Sequence, residues 1–428
     1  MAFTTRAMQE KMEKAGLLPL RRQAEISARI IEERLNKLLP AAMEAAGLDC
    51  WLVIGSEYNE DPLFRSLFTY DLPTARRVSA LCFHQQNDGS VKRYSFSARS
   101  PLMDKLYENK LNRGEELWPT LAKFLAELNP SQIAVNKSDH FGICDGLSSS
   151  HFEQLTGHLN PDLRSRLASA EALANTYMQQ LTSLELDLLA TVVEVTQDII
   201  DLTFSTDRIE LGKTTTTDLE WFMRECMSEL NCLSWFGPDV NLQRKGEKNT
   251  MFTGVIEAGD LLHCDIGMSP LYIKLHSDIQ RLAYVLKPGE AAVPGGIAKI
   301  MRNANRFQDI TMQALEPQKT GNLVFSKALE QGKAEELNPA LYSHPIGTYG
   351  HGAGTLVGRY DHQQPLPVKG DYLINKNSAY ALELNCFGQV PEWDDQEVFT
   401  YLEEDIAVKE APYYLHGRQT DILLLKFD

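Results

Sequence analysis

At 428 residues the chain is too long for one ordinary hydrophobic core, and it implies two domains. Its hydrophobic content of 43% and charged content of 23% are those of a globular protein, and a formal net charge of −16 argues against nucleic acid as a partner. The seven cysteines contain no CxxC pair and are odd in number, which fits reduced core thiols in the cytoplasm better than a disulfide framework. No uninterrupted apolar run of about 18 residues occurs, and the first residues carry no signal-like apolar stretch, so no membrane partner is expected. A leader removed ahead of Met1 is compatible with the same reading.

Residues 1–22 are polar with scattered apolar positions and read as a loosely attached arm. From Arg22 the apolar positions Ile26, Ile30, Ile31, Leu35, Leu38 and Leu39 keep a helical period that stops at Pro40. Strands follow at 49–54 and 79–83, then a turn at Asn87-Asp88-Gly89, a returning strand at 92–96 and a short one at 133–135. Strands alternating with helices give an α/β domain over 1–175, with 166–178 as the linker. Then comes a long amphipathic helix through Leu181, Leu184, Leu188, Val192, Val195, Ile199 and Leu202. Thr214–Thr217 cap a second helix over 218–230, and a third runs from about Gly296 to Leu315. Strands cluster around Asp265 and Asp278, near 380–384, over 399–409 and at 422–425.

The chemistry concentrates between 260 and 410. Asp265 ends an apolar strand, Asp278 sits on a second, Glu383 lies within Tyr-Ala-Leu-Glu-Leu, and Glu404 lies within Leu-Glu-Glu-Asp-Ile-Ala-Val. His351 stands among glycines, where backbone can approach closely. Carboxylates buried without compensation cost several kcal/mol each, so such a group needs protons or cations. Four carboxylates and one imidazole make a hard donor set suited to paired Mn²⁺, Fe²⁺, Co²⁺ or Zn²⁺. His263, in the middle of an apolar strand, reads as a satisfied core histidine, and His276 as a hydrogen-bonded neighbour of the site. Asp405 alternates to the strand face opposite Glu404 and reads as a structural cap.

The order Asp, Asp, His, Glu, Glu, with the strings CDIG, HSDIQR, GHGAG, ALEL and EEDIAV, resembles the pita-bread metallopeptidases. Within them the chain is similar to the Xaa-Pro aminopeptidase and Xaa-Pro dipeptidase (prolidase) branch, and its first half to the creatinase-type N-terminal domain those enzymes carry. The resemblance implies an α/β (α+β) architecture, with a pita-bread domain over 176–428 built on a curved antiparallel sheet. It also implies two divalent ions, Mn²⁺ foremost, held by Asp265, Asp278, His351, Glu383 and Glu404, with Asp278 and Glu404 bridging. Hydroxide between the ions would attack an Xaa-Pro bond of a short peptide, and Glu383 would take a proton from it. His344 and His362 would serve as the auxiliary histidines that contact substrate, and the N-terminal domain would cap the cleft and form a homodimer. Three departures stand out. The aspartates are thirteen residues apart (278 minus 265), which implies an insertion or bulge; no histidine occurs between Phe236 and Leu262; and Gly358 stands where relatives carry a histidine. Rival readings are a non-peptidase on the same fold, such as a creatinase-like hydrolase or a metal-dependent dimethylsulfoniopropionate lyase, and a pseudo-peptidase scaffold.

Overall fold

The computed structural model describes residues 5–427 and divides the chain into two units. One is Ala24–Thr182; the other combines the chain up to Gln23 with everything from Ser183 on.

The smaller unit is built on a six-stranded sheet in the order β4-β3-β2-β1-β5-β6. Its strands are β1 (Cys50–Ser56), β2 (Val78–Gln85), β3 (Val91–Phe96), β4 (Glu108–Asn109), β5 (Ile133–Val135) and β6 (Leu167–Ser169). The continuous apolar run of β1 follows from its central place, since a strand covered on both faces needs no alternation. Cys50, Leu52 and Ile54 pack with Leu121, Leu125 and Leu155 of covering helices. Trp51, one residue out of phase, meets Phe83 and Tyr177 instead. Residues 166–178 are no linker: they supply β6 and most of the helix Glu171–Gln179, whose Leu173, Ala174, Tyr177 and Met178 are buried. The helical run also continues past Pro40. A π turn over Arg34–Leu38 ends one helix, and Pro40 falls in the first turn of the next, Leu39–Ala46, where its missing N–H costs nothing.

The larger unit begins with what the sequence suggested was an arm. Arg6–Ala15 is a helix that buries Met8 and Met12, and its Lys11 pairs with Glu194 and Asp198 of the helix Ser183–Thr203. The sheet of this unit has nine strands, ordered β13-β12-β14-β15-β11-β9-β8, with β16 beside β15 and β17 beside β11. In chain order the strands of this unit, counting the separate two-stranded pair of β7 and β10, are β7 (Cys232–Ser234), β8 (Asp239–Gln243), β9 (Leu261–Ile266), β10 (Met268–Pro270), β11 (Ile279–Val285), β12 (Pro339–Ile346), β13 (Val357–Gly358), β14 (Ser378–Val390), β15 (Gln396–Val408), β16 (Pro412–Tyr414) and β17 (Leu423–Leu425). All neighbours pair antiparallel except β11 with β17.

Two helices, Gly295–Ala314 and Gly321–Ala334, cover one face of this sheet. Their Ile300, Phe307, Phe325 and Ala328 share a core with Tyr380, Leu382 and Leu384 of β14 and with Leu402, Ile406 and Val408 of β15. Even-numbered residues of these two strands therefore face the helices, and odd-numbered ones face the other way. The thirteen-residue spacing between the aspartates is neither a bulge nor a simple turn. Chain 267–278 leaves the sheet, pairs β10 with β7, and returns so that Ile279 lies opposite Ile266.

Candidate metal centre

The register of the sheet aligns acidic side chains in one row. Asp265 lies opposite Gln280, Gln280 opposite Glu403, and Glu403 opposite Glu383, across β9, β11, β15 and β14. Directly opposed residues share a face, so the four converge. His344, at the end of β12, joins them: its Nε2 lies 3.4 Å from Asp278 Oδ2, 3.7 Å from Glu403 Oε1 and 4.0 Å from Glu383 Oε2. Two overlapping donor sets result, Asp278–His344–Glu403 and Asp265–Glu383–Glu403, with Glu403 common to both.

Of the five expected ligands, Asp265, Asp278 and Glu383 are brought together; the two donor sets are completed by Glu403 and His344, and neither contains Glu404 or His351. Glu404 has even parity on β15 and so turns toward the opposite face. There its Oε2 lies 2.8 Å from Arg281 Nη2, off the N–H axis, and its Oε1 accepts from the backbone N–H of Gln419. The alternation of Leu402, Ile406 and Val408 with Glu403 was the sequence signal that could have separated the two glutamates. His351 is exposed at the rim, its ring 4.6 Å from that of His344 and 5.2 Å from that of Trp235. His362 lies in an exposed turn with Arg359 and is not among the residues that line the site. Asp405 acts as expected, its carboxylate accepting from the Asp278 backbone N–H at 2.9 Å. His276 sits at the site's edge and donates from Nδ1 to the Gly347 carbonyl oxygen at 2.9 Å.

Gln280 was missed altogether. Its Nε2 reaches Glu383 Oε1 at 2.8 Å, Glu403 Oε2 at 3.0 Å and Asp265 Oδ2 at 3.4 Å, while its Oε1 sits 2.9 Å from His263 Nε2. Nothing in the string HSDIQR flags a neutral amide as part of an acidic site. His263 is thus held by the site rather than by the core alone.

The cavity encloses about 190 Å³ and is lined by Trp235, Phe236, Asp265, Asp278, His344, His351, Glu383 and Glu403. Trp235 can close one side only because Gly267 and Gly350 press against its ring; a Cβ at either would overlap the indole. Burial pushes Asp265, Asp278, Glu383 and Glu403 above the usual carboxyl range, and each other's charge pushes them further. Burial alone would lower His344, but Glu403 and Glu383 outweigh it and raise the imidazole. His351 goes the other way, down to about 4: although part of the residue is exposed, the protein around its ring desolvates it, and the neighbouring His344 adds to the effect.

Among the described residues, no helix is long and apolar enough to cross a membrane. No family model and no curated protein matches the sequence of this chain. Solved structures do match. An X-Pro aminopeptidase from Thermotoga maritima superposes with a TM-score of 0.64 at 15% identity, over 90% of this chain and 100% of that one. An Xaa-Pro dipeptidase from Bacillus anthracis gives 0.60 at 15% identity, over 93% and 100%. A prolidase from Pyrococcus furiosus gives 0.58 at 12% identity, over 89% and 100%. With its helix-backed antiparallel sheet and its separate six-stranded unit, the chain has the pita-bread fold of the Xaa-Pro peptidases, preceded by a creatinase-like N-terminal unit.

Proposed function

We propose that this chain is a divalent-metal-dependent peptidase that hydrolyses Xaa-Pro bonds of short peptides. One observation carries the reading: Glu403 is shared by two donor sets, is 1% exposed, and leaves Oε1 without a hydrogen-bond partner. A buried oxygen in that state needs a proton or a cation. Asp265 Oδ1 is unpartnered as well. The residues fit a metal: Asp278, His344 and Glu403 would hold one ion, and Asp265, Glu383 and Glu403 a second, all through hard oxygen or imidazole donors. When bound, such ions polarise a carbonyl and make water acidic enough to attack at neutral pH.

The chain's own groups do the rest. Trp235 and Phe236 form an apolar wall that thins water around the reacting bond and gives a flat surface to a proline ring. Glu383, its carboxyl raised by burial and by Glu403, accepts the proton of the attacking water and passes it to the leaving imino nitrogen. His351, neutral near pH 7, offers a hydrogen-bond donor at the rim for the peptide carbonyl. A homodimer formed through the N-terminal unit belongs to the same reading and rests on the resemblance alone.

The test is hydrolysis of Xaa-Pro dipeptides and of longer peptides with proline second, against matched alanine peptides, with Mn²⁺ present. Cleavage should require proline and the metal. Protein that binds Mn²⁺ and cleaves none of these substrates would overturn the peptidase reading in favour of a lyase or another hydrolysis on the same fold.

A further inference from the structure

The two donor sets are not alike, and the difference is one amide. Gln280 Nε2 reaches every member of the set Asp265–Glu383–Glu403 and makes no hydrogen bond to Asp278 or His344. It stands where those three carboxylates converge, the position a cation bound by them would take. The shared Glu403 is divided accordingly: Oε2 receives the Gln280 N–H, and Oε1 faces His344 without a hydrogen-bond partner.

The orientation of the amide is dictated by its neighbours. Turned the other way, Gln280 would set its carbonyl oxygen against three carboxylates and bring its NH₂ to His263. His263 favours the observed arrangement, because its buried Nδ1 has no partner while Nε2 stands 2.9 Å from Gln280 Oε1. The imidazole is therefore the neutral tautomer with its proton on Nε2, and it donates to the amide oxygen. Gln280 is itself 3% exposed, and its backbone is flanked on both sides, by Asp265 and by Glu403. The amide is held from behind by a histidine and in front by acids.

We propose that Gln280 makes the centre unequal: one divalent cation binds tightly at Asp278, His344 and Glu403, and a second enters only by displacing the Gln280 amide from Asp265, Glu383 and Glu403. This rests on the metal-dependent reading above and goes beyond it, since it gives one residue of this chain, Gln280, control over the entry of the second ion. Gln280 is a positioning residue that competes with the second ion. His263 strengthens the competition by fixing the side of the amide that faces the acids. Outer partners of metal ligands commonly change affinity by about 10–100-fold, which sets the size of the expected effect.

The experiment is calorimetric titration of Mn²⁺ into the chelator-stripped full chain, with elemental analysis of the gel-filtered product. The wild type should show one tight ion and a second weaker by about tenfold or more. Gln280→Ala should strengthen the second site until the two lie within a few-fold and leave the first little changed. Gln280→Glu keeps the shape and an oxygen for His263, replaces the donor with a carboxylate, and should tighten the second ion further; it makes the same comparison should the alanine variant fail to fold. Two ions of equal affinity in the wild type would overturn the proposal. So would a second site that Gln280→Ala weakens, the result expected if the amide merely props the carboxylates in place. Absence of any bound ion would instead overturn the metal reading itself.

Discussion

Replacing Glu403 and Glu404 one at a time should give opposite phenotypes from adjacent positions. Glu403→Gln removes the only carboxylate common to both donor sets, so metal affinity should fall by more than the roughly 10–100-fold typical of an outer partner. Its effect on folding should be small or favourable without metal, because it takes one of four mutually repelling buried acids out of the cluster. Glu404→Gln leaves the cluster intact but strips the charge facing Arg281, whose side chain is 6% exposed. Breaking a buried pair by removing one partner costs roughly 3–5 kcal/mol, and burial already pulls Glu404 up to about 7 against the guanidinium. Glutamine retains an acceptor for the Gln419 N–H, so the low end applies: about 3 kcal/mol, or roughly 6–12 °C in Tm for a unit of this size. Calorimetric Mn²⁺ titration and thermal melts on both variants make the comparison. A Glu404→Gln protein that melts normally but loses its metal, beside a Glu403→Gln protein that keeps it, would refute the placement of these two side chains.

His344→Ala should lose the tighter ion, whereas His351→Ala should bind metal normally and lose peptide turnover; equal metal loss in both would contradict the geometry. The metal-free protein should be more stable in mild acid. Burial raises Asp265, Asp278, Glu383, Glu403 and Asp405 on folding, so the stability they contribute is fully present below their unfolded values near pH 4 and is lost as pH rises through the folded ones. Chelated protein should therefore melt higher at about pH 6 than at about pH 8, and excess Mn²⁺ should flatten or reverse the trend, because cations bind the deprotonated set. A chelated protein whose Tm climbs over that range would count against the clustered acids. Met12→Ala should destabilise the larger unit by about 2–5 kcal/mol in urea melts, since Met12 is 1% exposed; a neutral result would restore the picture of a loose N-terminal arm.

Much of this molecule was legible in its residues. The strands carrying Asp265 and Glu383 announce themselves because a charged residue interrupts apolar runs, whereas Asp278 lies just ahead of β11 rather than on it; the long helix after Thr182 follows from its period. What escaped was parity and reach. Glu403 and Glu404 stand side by side in one apolar strand, and only the choice of which face meets the helices separates them; Leu402, Ile406 and Val408 made that choice. His344 and His351 are both loop-adjacent histidines near glycines, and a one-dimensional reading has no measure of which is carried into the row by β12. Gln280 escaped for a different reason, since an uncharged side chain in an acidic site leaves no trace in charge patterning. The N-terminal helix went unread because two methionines in a polar stretch are a weak signal until a partner helix supplies the other half of the contact.

The small ribbon of β7 and β10 ties two parts of the centre together mechanically. Trp235 follows β7 directly, Asp278 ends the excursion that carries β10, and the indole N–H is bonded to the Ser277 carbonyl at 2.9 Å. That bond links the wall to the residue just before Asp278. In the proposed peptidase, moving the indole to admit a bulkier peptide would break this bond and loosen the segment that positions Asp278, so widening the entrance would work against holding the cation. Engineering for larger substrates at Trp235 will be felt first as a change in metal retention.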